Sequence, residues 1–134
     1  GGKEDAALCE EIGNAISPVN VLNAAGELSL LQSAELIRQC ILLVSNDSAP
    51  MHLAVGVRTP VVAIFGATVP RFGFAPRGKR DIVAEINDLL CRPCSIHGGD
   101  RCPIKTFVCM NDLSPQLVHA KVQTVLGALK SEVR

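Results

Sequence analysis

Apolar residues recur at spacings of three and four over three long stretches of this chain, the pattern typical of amphipathic helices. The first stretch is 3–16, and acidic residues in its first turn suit the helix dipole. The second follows Ser29, and the third follows Ser114 and begins at Pro115; serine is a preferred N-cap residue. A shorter helix of about two turns is predicted at 50–57.

Short apolar segments predict four strands, at 19–22, 41–44, 61–65 and 81–86. The runs at 41–44 and 61–65 do not alternate with polar residues, so we expect both strands to be buried on both faces, as in a parallel sheet. Strands that alternate with helices predict an α/β domain in which helices cover the faces of that sheet.

A polar turn, Ser-Asn-Asp-Ser at 45–48, joins the second predicted strand to the short helix. A helix N-terminus in this position can bind an anion, because its first N–H groups lack partners and its dipole adds positive charge. Two interpretations remain open. Asp47 or Ser48 could simply cap the helix. Alternatively, the Ser48 hydroxyl and the N–H groups of 48–50 bind a diphosphate, and His52 donates to it from one turn further on.

Composition narrows the function. Thirteen basic and thirteen acidic residues leave no net charge, and four Phe are the only aromatic residues besides three His, so a nucleic-acid interface is not expected. No apolar run approaches the ~20 residues that span a bilayer, so we expect no transmembrane segment. The sequence contains neither G-x-G-x-x-G nor a Walker motif, which disfavours ordinary dehydrogenases and P-loop NTPases.

Four of the six cysteines form the pattern C-x2-C-x7-C-x6-C within a long irregular stretch at 87–113, and the other two, Cys9 and Cys40, are expected to be core residues. Without a secretory signal we expect a reducing, cytoplasmic compartment. Two interpretations of the cluster stay open: free thiols, or a structural zinc site. The predicted metal ligands are Cys91, Cys94, Cys102 and Cys109.

The sequence SNDSAPMHLAVGVRTPVVAIFGATVP at 45–70 resembles the signature of the ADP-heptose:lipopolysaccharide heptosyltransferases, glycosyltransferase family nine. Gly26-x-x-Ser29-Leu30 upstream is similar to the same family. The segments Cys91-Arg92-Pro93-Cys94, Cys109-Met110 and 112–115 resemble its heptosyltransferase II branch. The similarity extends over nearly the whole chain.

The resemblance implies a fold and a role. Members have two Rossmann-like halves facing a cleft, the GT-B arrangement, and this chain resembles most of the carboxyl-terminal half, which binds the nucleotide-sugar donor. We therefore expect a partial donor-binding domain at 1–134, with the Cys-rich loop at 87–113. The resemblance implies seven donor-binding residues: Asp47, Ser48, Ala49, His52, Leu28, Thr68 and Glu4. Among them, Leu28 would pack against adenine and Glu4 would lie near the nucleoside. Many members have Gly where this chain has Ala49.

The resemblance also places the catalytic base in the amino-terminal half, so no catalytic residue is expected in this chain. We expect an ADP-heptose or related donor, no required cofactor, and a lipopolysaccharide-core acceptor that contacts the other half. The full-length parent would be a cytoplasmic glycosyltransferase, peripheral at the inner membrane. The remaining alternatives are a non-catalytic nucleotide-binding module and a metal-stapled interaction domain.

The chain begins Gly-Gly without Met, and the family pattern places this start just after the second strand of the domain. We therefore expect a piece of a longer protein whose first two strands are missing. The strand at 41–44 would then have an open edge, which invites pairing with another chain. A rearranged sheet or a self-associated dimer is the expected result.

Overall fold

A computed structural model describes residues 1–16, 21–99 and 101–132. The chain divides into two compact units, Gly1–Ser33 and Ala34–Arg134. Five α-helices lie in the described residues: α1 (Ala6–Ala15), α2 (Leu30–Gln39), α3 (Ala49–Val57), α4 (Val108–Asn111) and α5 (Pro115–Glu132). Three strands, β1 (Leu43–Asn46), β2 (Val61–Ile64) and β3 (Ile82–Ala84), form a parallel sheet in the order β1-β2-β3.

The predicted α/β class with a parallel sheet is confirmed, and helix starts agree with the capping residues. Ser29 and Gln32 form a reciprocal capping pair at α2: the Ser29 N–H donates to Gln32 Oε1 at 2.9 Å, and the Gln32 N–H donates to Ser29 Oγ at 3.4 Å. At α5 the Leu117 N–H donates to Ser114 Oγ at 3.2 Å. Local side-chain chemistry therefore sets where these helices begin.

In the Ala34–Arg134 unit, the sheet carries an apolar cluster on each face. Alternate side chains of β2 point to opposite faces, so Val61 and Ala63 pack with Met51 and Phe65 on the α3 side, while Val62 packs with the α5 side. These five side chains are completely buried. The prediction that 61–65 is buried on both faces is confirmed.

The same prediction is wrong for the preceding strand. β1 begins two residues later than the apolar run at 41–44, and its side chains alternate between half-buried and exposed. The register pairs Val44 with Val62, which puts Val44 on the α5 side. Helix α5 packs against β2 and β3, and Val44 remains 46% exposed at the edge of the described sheet.

In the Gly1–Ser33 unit, a 3-10 turn at Lys3–Asp5 leads into α1, and Gly26 adopts φ 75° while its N–H donates to the Gly1 carbonyl. The amphipathic pattern at 3–16 does form a helix, but none of the residues of α1 is buried. Residues 19 and 20 of the predicted strand 19–22 lie outside the described residues, and Val21 and Leu22 do not form a strand. Across the described residues, no helix is both long and apolar enough to cross a membrane.

Candidate functional site

The turn between β1 and α3 stands at the carboxyl end of the parallel sheet, the edge where open α/β sheets bind ligands. The Asp47 N–H donates to the Ile64 carbonyl at 3.0 Å, which fixes the turn to the end of β2. Ser48 follows in extended conformation as N-cap, and α3 begins at Ala49. The predicted strand, turn and helix are thus present, with α3 one residue longer at its start.

The side chain of Asp47 accepts a hydrogen bond from a residue that follows the carboxyl end of β2. The Thr68 hydroxyl, in a side chain that is 8% exposed, donates to Asp47 Oδ2 at 2.7 Å. The carboxylate itself is half-buried. The structure therefore brings together two residues predicted for the donor site that are separated by 21 positions in the chain.

The Ser48 hydroxyl does not cap α3. It donates to the Asn46 carbonyl at 3.2 Å and lies 3.3 Å from Ser45 Oγ. The simple capping interpretation is therefore wrong for Ser48, and the carboxylate of Asp47 is engaged by Thr68. Because Pro50 has no N–H, the prediction of N–H donors throughout 48–50 is also wrong, and the turn offers those of Ser48 and Ala49.

Ala49 and His52 lie on the exposed surface of the first turns of α3. Ala49 is the first helical residue and is not among the residues with positive φ, so its Cβ causes no backbone strain. His52 follows Ser48 by four positions, which places the two on one side of the helix start. The role of these residues as a diphosphate cradle stays a prediction.

A buried arginine that was not among the predicted site residues is connected to this turn through Thr68. Arg92 is 5% exposed in its side chain and forms an ion pair with Glu85, with Nη2 to Oε2 at 2.8 Å. The same guanidinium donates to the carbonyls of Ile86 (2.7 Å) and Thr68 (2.6 Å). Its Nε is buried and has no hydrogen-bond partner among the described residues.

A cavity of about 330 Å³ opens next to Arg92 and Glu85. Its volume lies near the lower end of the range of small-molecule sites, roughly 300–1,000 Å³. The wall contains Val69, directly after Thr68, so the cavity borders the exit of β2. Further polar lining comes from Arg71, Asn87 and Asp88.

Comparisons with known proteins identify the family of this chain. The family model described as glycosyltransferase family 9 (heptosyltransferase) matches residues 1–99, which include the β1–α3 turn, Thr68 and Arg92. The chain belongs to glycosyltransferase family 9. The resemblance predicted from residues 45–70 is confirmed.

Individual relatives in this family agree. A lipooligosaccharide heptosyltransferase 2 of Campylobacter jejuni is 32% identical over 93% of this chain, and one of Haemophilus influenzae is 36% identical over 95% of it. A lipopolysaccharide heptosyltransferase 2 of Escherichia coli is 44% identical over 37% of the chain. The matched region covers 39% and 36% of the length of the first two relatives, and 14% of the third. No solved structure shows a significant match.

The Cys-rich loop of this family 9 chain holds free thiols at all four predicted ligand positions, Cys91, Cys94, Cys102 and Cys109. Across residues 1–16, 21–99 and 101–132, no three His, Cys, Asp or Glu side chains are arranged to hold a metal ion. The zinc site stays a prediction. The two remaining thiols differ from expectation, because Cys40 is exposed and Cys9 is only half-buried.

Two thiols of the loop, Cys94 and Cys102, have pKa values that are shifted in opposite directions. Burial raises the pKa of Cys94, with smaller contributions from the nearby thiols of Cys109, Cys102 and Cys91. The pKa of Cys102 is lowered, first by the Phe107 N–H, which donates to its Sγ at 3.4 Å, and then by the N–H groups of residues 104–106. Backbone N–H groups that donate to the sulfur lower its pKa, because hydrogen bonds to the charged form stabilise the thiolate.

The other two predicted donor residues, Glu4 and Leu28, belong to the Gly1–Ser33 unit, whereas the turn and Thr68 belong to the second unit. Glu4 is exposed in the 3-10 turn, and Leu28 is 37% exposed ahead of α2. Their role in donor binding stays a prediction. Arg92 and Glu85 were not predicted as part of the site. The signal available in the sequence was the arginine between the two cysteines of the Cys-x2-Cys motif at 91–94.

Proposed function

We propose that this chain is the donor-binding part of a GT-B glycosyltransferase, which transfers a heptose from ADP-heptose to the inner core of lipopolysaccharide. The family supports glycosyl transfer, and the names of the relatives support heptose as the sugar. The observation that carries the proposal for this chain is the turn from β1 into α3. There Asp47 is oriented by Thr68, and Ser48 stands at the helix start.

The helix start would bind the diphosphate. Helix α3 has nine residues, so its first-turn N–H groups and its dipole are aligned toward an anion at Ser48 and Ala49. As the bond between sugar and diphosphate breaks, negative charge develops on the leaving ADP, and fixed N–H donors stabilise that charge. The Ser48 hydroxyl and His52 can add hydrogen bonds from the same side of the helix.

The Asp47 carboxylate would recognise the sugar. A carboxylate repels a diphosphate but accepts hydrogen bonds from sugar hydroxyl groups. One oxygen already accepts from Thr68, which fixes the plane of the carboxylate and leaves the other oxygen for the donor. The acceptor hydroxyl must be deprotonated by a base, and we place that base, with the acceptor site, in the part of the parent outside this chain.

Calorimetric titration of the full-length parent with ADP-heptose, ADP and UDP-sugars tests the donor assignment. We expect ADP-heptose to bind more tightly than UDP-sugars. Asp47→Asn should lower the affinity for ADP-heptose and change the affinity for ADP little, because the proposed contact of the carboxylate is with the sugar. Ser48→Ala should lower the affinity for both ligands, because both contain the diphosphate. The control is Glu35→Gln on α2, an exposed residue. Binding of ADP but not of ADP-heptose would instead favour a non-catalytic nucleotide-binding module.

The division of roles between the two halves has its own test. The 134-residue chain is expected to show no transfer from ADP-heptose, because the proposal places the base elsewhere. Radiolabelled heptose transfer to a lipopolysaccharide-core acceptor is the measurement, with the full-length parent as positive control. Transfer by the chain alone would overturn the assignment of the base.

A further inference from the structure

The guanidinium of Arg92 connects three segments of the second unit. Through Nη2 it contacts Thr68 O and Glu85 Oε2, and through Nη1 it contacts the Ile86 carbonyl, all within 2.8 Å. The side chain is 5% exposed, so these bonds are shielded from competing water. Arg92 therefore links the exit of β2, the exit of β3 and the Cys-rich loop.

The rest of the Cys-rich loop holds the same short segment, Gly66–Thr68. The Cys94 N–H donates to the Ala67 carbonyl at 2.9 Å, one residue before the carbonyl that Arg92 binds. At Gly66 an added Cβ would lie 2.6 Å from Met110 Sδ, so the loop packs directly against that backbone. The three consecutive residues Gly66–Thr68 are thus each in contact with the Cys-rich loop.

The fixed segment in turn orients the carboxylate of the donor turn. Thr68 receives the Arg92 hydrogen bond on its carbonyl and gives its own hydroxyl hydrogen to Asp47 Oδ2 at 2.7 Å. The backbone of Thr68 determines where that hydroxyl lies. A continuous path of two short hydrogen bonds therefore runs from Arg92 through Thr68 to Asp47.

We propose that Arg92 is a positioning residue for the donor site: it fixes Thr68, and Thr68 keeps the Asp47 carboxylate in the orientation that binds the donor sugar. This inference rests on the function proposed above. The role depends on the shape of the side chain as well as its charge. A guanidinium presents several N–H groups in one plane and can reach three acceptors at once, whereas a lysine ammonium is a compact charge on a flexible stem.

Arg92→Lys tests this role because it keeps the charge and removes the planar fork. The exposed pair of Arg38 and Glu35 on α2, joined at 2.7 Å, supplies a matched control in Arg38→Lys. Two signals are measured: the ¹³C shift of the Asp47 carboxyl carbon in this chain, and the affinity of the full-length parent for ADP-heptose and for ADP. Since lysine at a buried position can prevent folding, Glu85→Gln is measured in parallel; it keeps Arg92 but removes its counter-charge.

We expect Arg92→Lys to shift the ¹³C signal of the Asp47 carboxyl carbon and to lower the affinity for ADP-heptose on the order of tenfold, as the loss of supporting contacts does at other sites. ADP should weaken less, and Glu85→Gln should change both signals in the same direction. Arg38→Lys should change neither. If Arg92→Lys and Glu85→Gln lower the Tm but leave the Asp47 signal and ADP-heptose affinity unchanged, the proposal is overturned.

The two proposals fail in different ways. If the unmutated parent does not bind ADP-heptose while Arg92→Lys still shifts the Asp47 signal, the proposed donor is wrong and the path from Arg92 to Asp47 stands. If ADP-heptose binds and depends on Asp47 but not on Arg92 or Glu85, the donor site stands and the positioning role is wrong.

Discussion

The Thr68 hydroxyl is the side-chain contact that the structure gives to the carboxylate of the candidate donor site. In this hydrogen bond the donor, Thr68, is buried and the acceptor is a charged carboxylate, so the bond is stronger than one between two neutral groups. The bond also brings Thr68 into the same site as Asp47, although the two residues are 21 positions apart in the chain.

Thr68→Val, which removes only the hydroxyl, should destabilise the chain by about 1.5 kcal/mol because the bond to a carboxylate is lost. It should also weaken ADP-heptose binding by the parent. Thr59→Val is the matched control: its buried hydroxyl donates to the Ile37 carbonyl at 2.8 Å, away from the donor turn. Chemical denaturation gives the stability, and calorimetry the affinity. A fall in affinity for both variants would argue against a specific role of Thr68.

The two half-buried thiols Cys94 and Cys102 should react with iodoacetamide at rates that diverge as the pH falls. The thiolate is the reactive form. Burial raises the pKa of Cys94, whereas the Phe107 N–H lowers that of Cys102. As the pH falls from the raised pKa of Cys94 to the lowered pKa of Cys102, Cys94 loses its thiolate first, so the rate ratio of Cys102 to Cys94 increases and then stays constant. Mass spectrometry of quenched samples measures both rates.

Protection of Cys102 in freshly purified protein, relieved by a chelator together with release of stoichiometric zinc, would contradict that result. It would support the structural zinc site that the spacing of the four cysteines leaves open. The exposed Cys40 provides a reference for an accessible thiol in the same sample.

At the level of elements, the sequence is most informative where local chemistry decides the outcome. Ser29 and Ser114 cap the helices predicted for them, and the apolar run of β2 is buried on both faces. The bounds of β1 were displaced by two residues because pairing with β2, from Leu43–Val61 to Asn46–Ile64, selects the strand. The pairing register between two strands cannot be read from one apolar run alone.

The candidate site was predictable in the same uneven way. The motif placed Asp47, Ser48 and His52 on a strand–turn–helix unit, because these positions are neighbours in sequence. The pair of Arg92 and Glu85 was missed because its partners are carbonyls of Ile86 and Thr68, which only tertiary packing brings to it. Burial of a charged pair has no periodic pattern in a sequence.

Ser114→Ala tests whether the cap of α5 supports the packing of this helix on the sheet. Loss of the hydrogen bond to the Leu117 N–H should lower the free energy of unfolding by about 1 kcal/mol. Ser131→Ala near the other end of α5 removes a hydrogen bond to the Ala128 carbonyl at an exposed position and should have little effect. Equal effects in urea denaturation would argue that the cap is not specific.

At the scale of the whole molecule, apolar side chains remain exposed at the β1 edge of the described sheet. Ile41 and Val44, at and before the sheet edge, are 71% and 46% exposed. An edge strand offers unpaired N–H and C=O groups to another chain. We therefore propose, as the sequence predicted, that this chain self-associates through β1.

Val44→Lys should shift the chain toward monomer, because a charged side chain on an edge strand opposes pairing. Val55→Lys is the matched control, since Val55 is similarly exposed, at 41%, on α3 and away from the sheet edge. Size-exclusion chromatography with light scattering over a range of concentrations measures the mass. A chain that is monomeric at every concentration would contradict the proposal.

The central claim is that the donor binds at the turn from β1 into α3, and hydrogen–deuterium exchange of the full-length parent tests it most directly. With saturating ADP-heptose we predict slower exchange in peptides covering 47–52 and 66–69, and a smaller effect at 66–69 with ADP alone. Unchanged exchange in both segments, while ADP-heptose is bound and protects other peptides, would contradict this account.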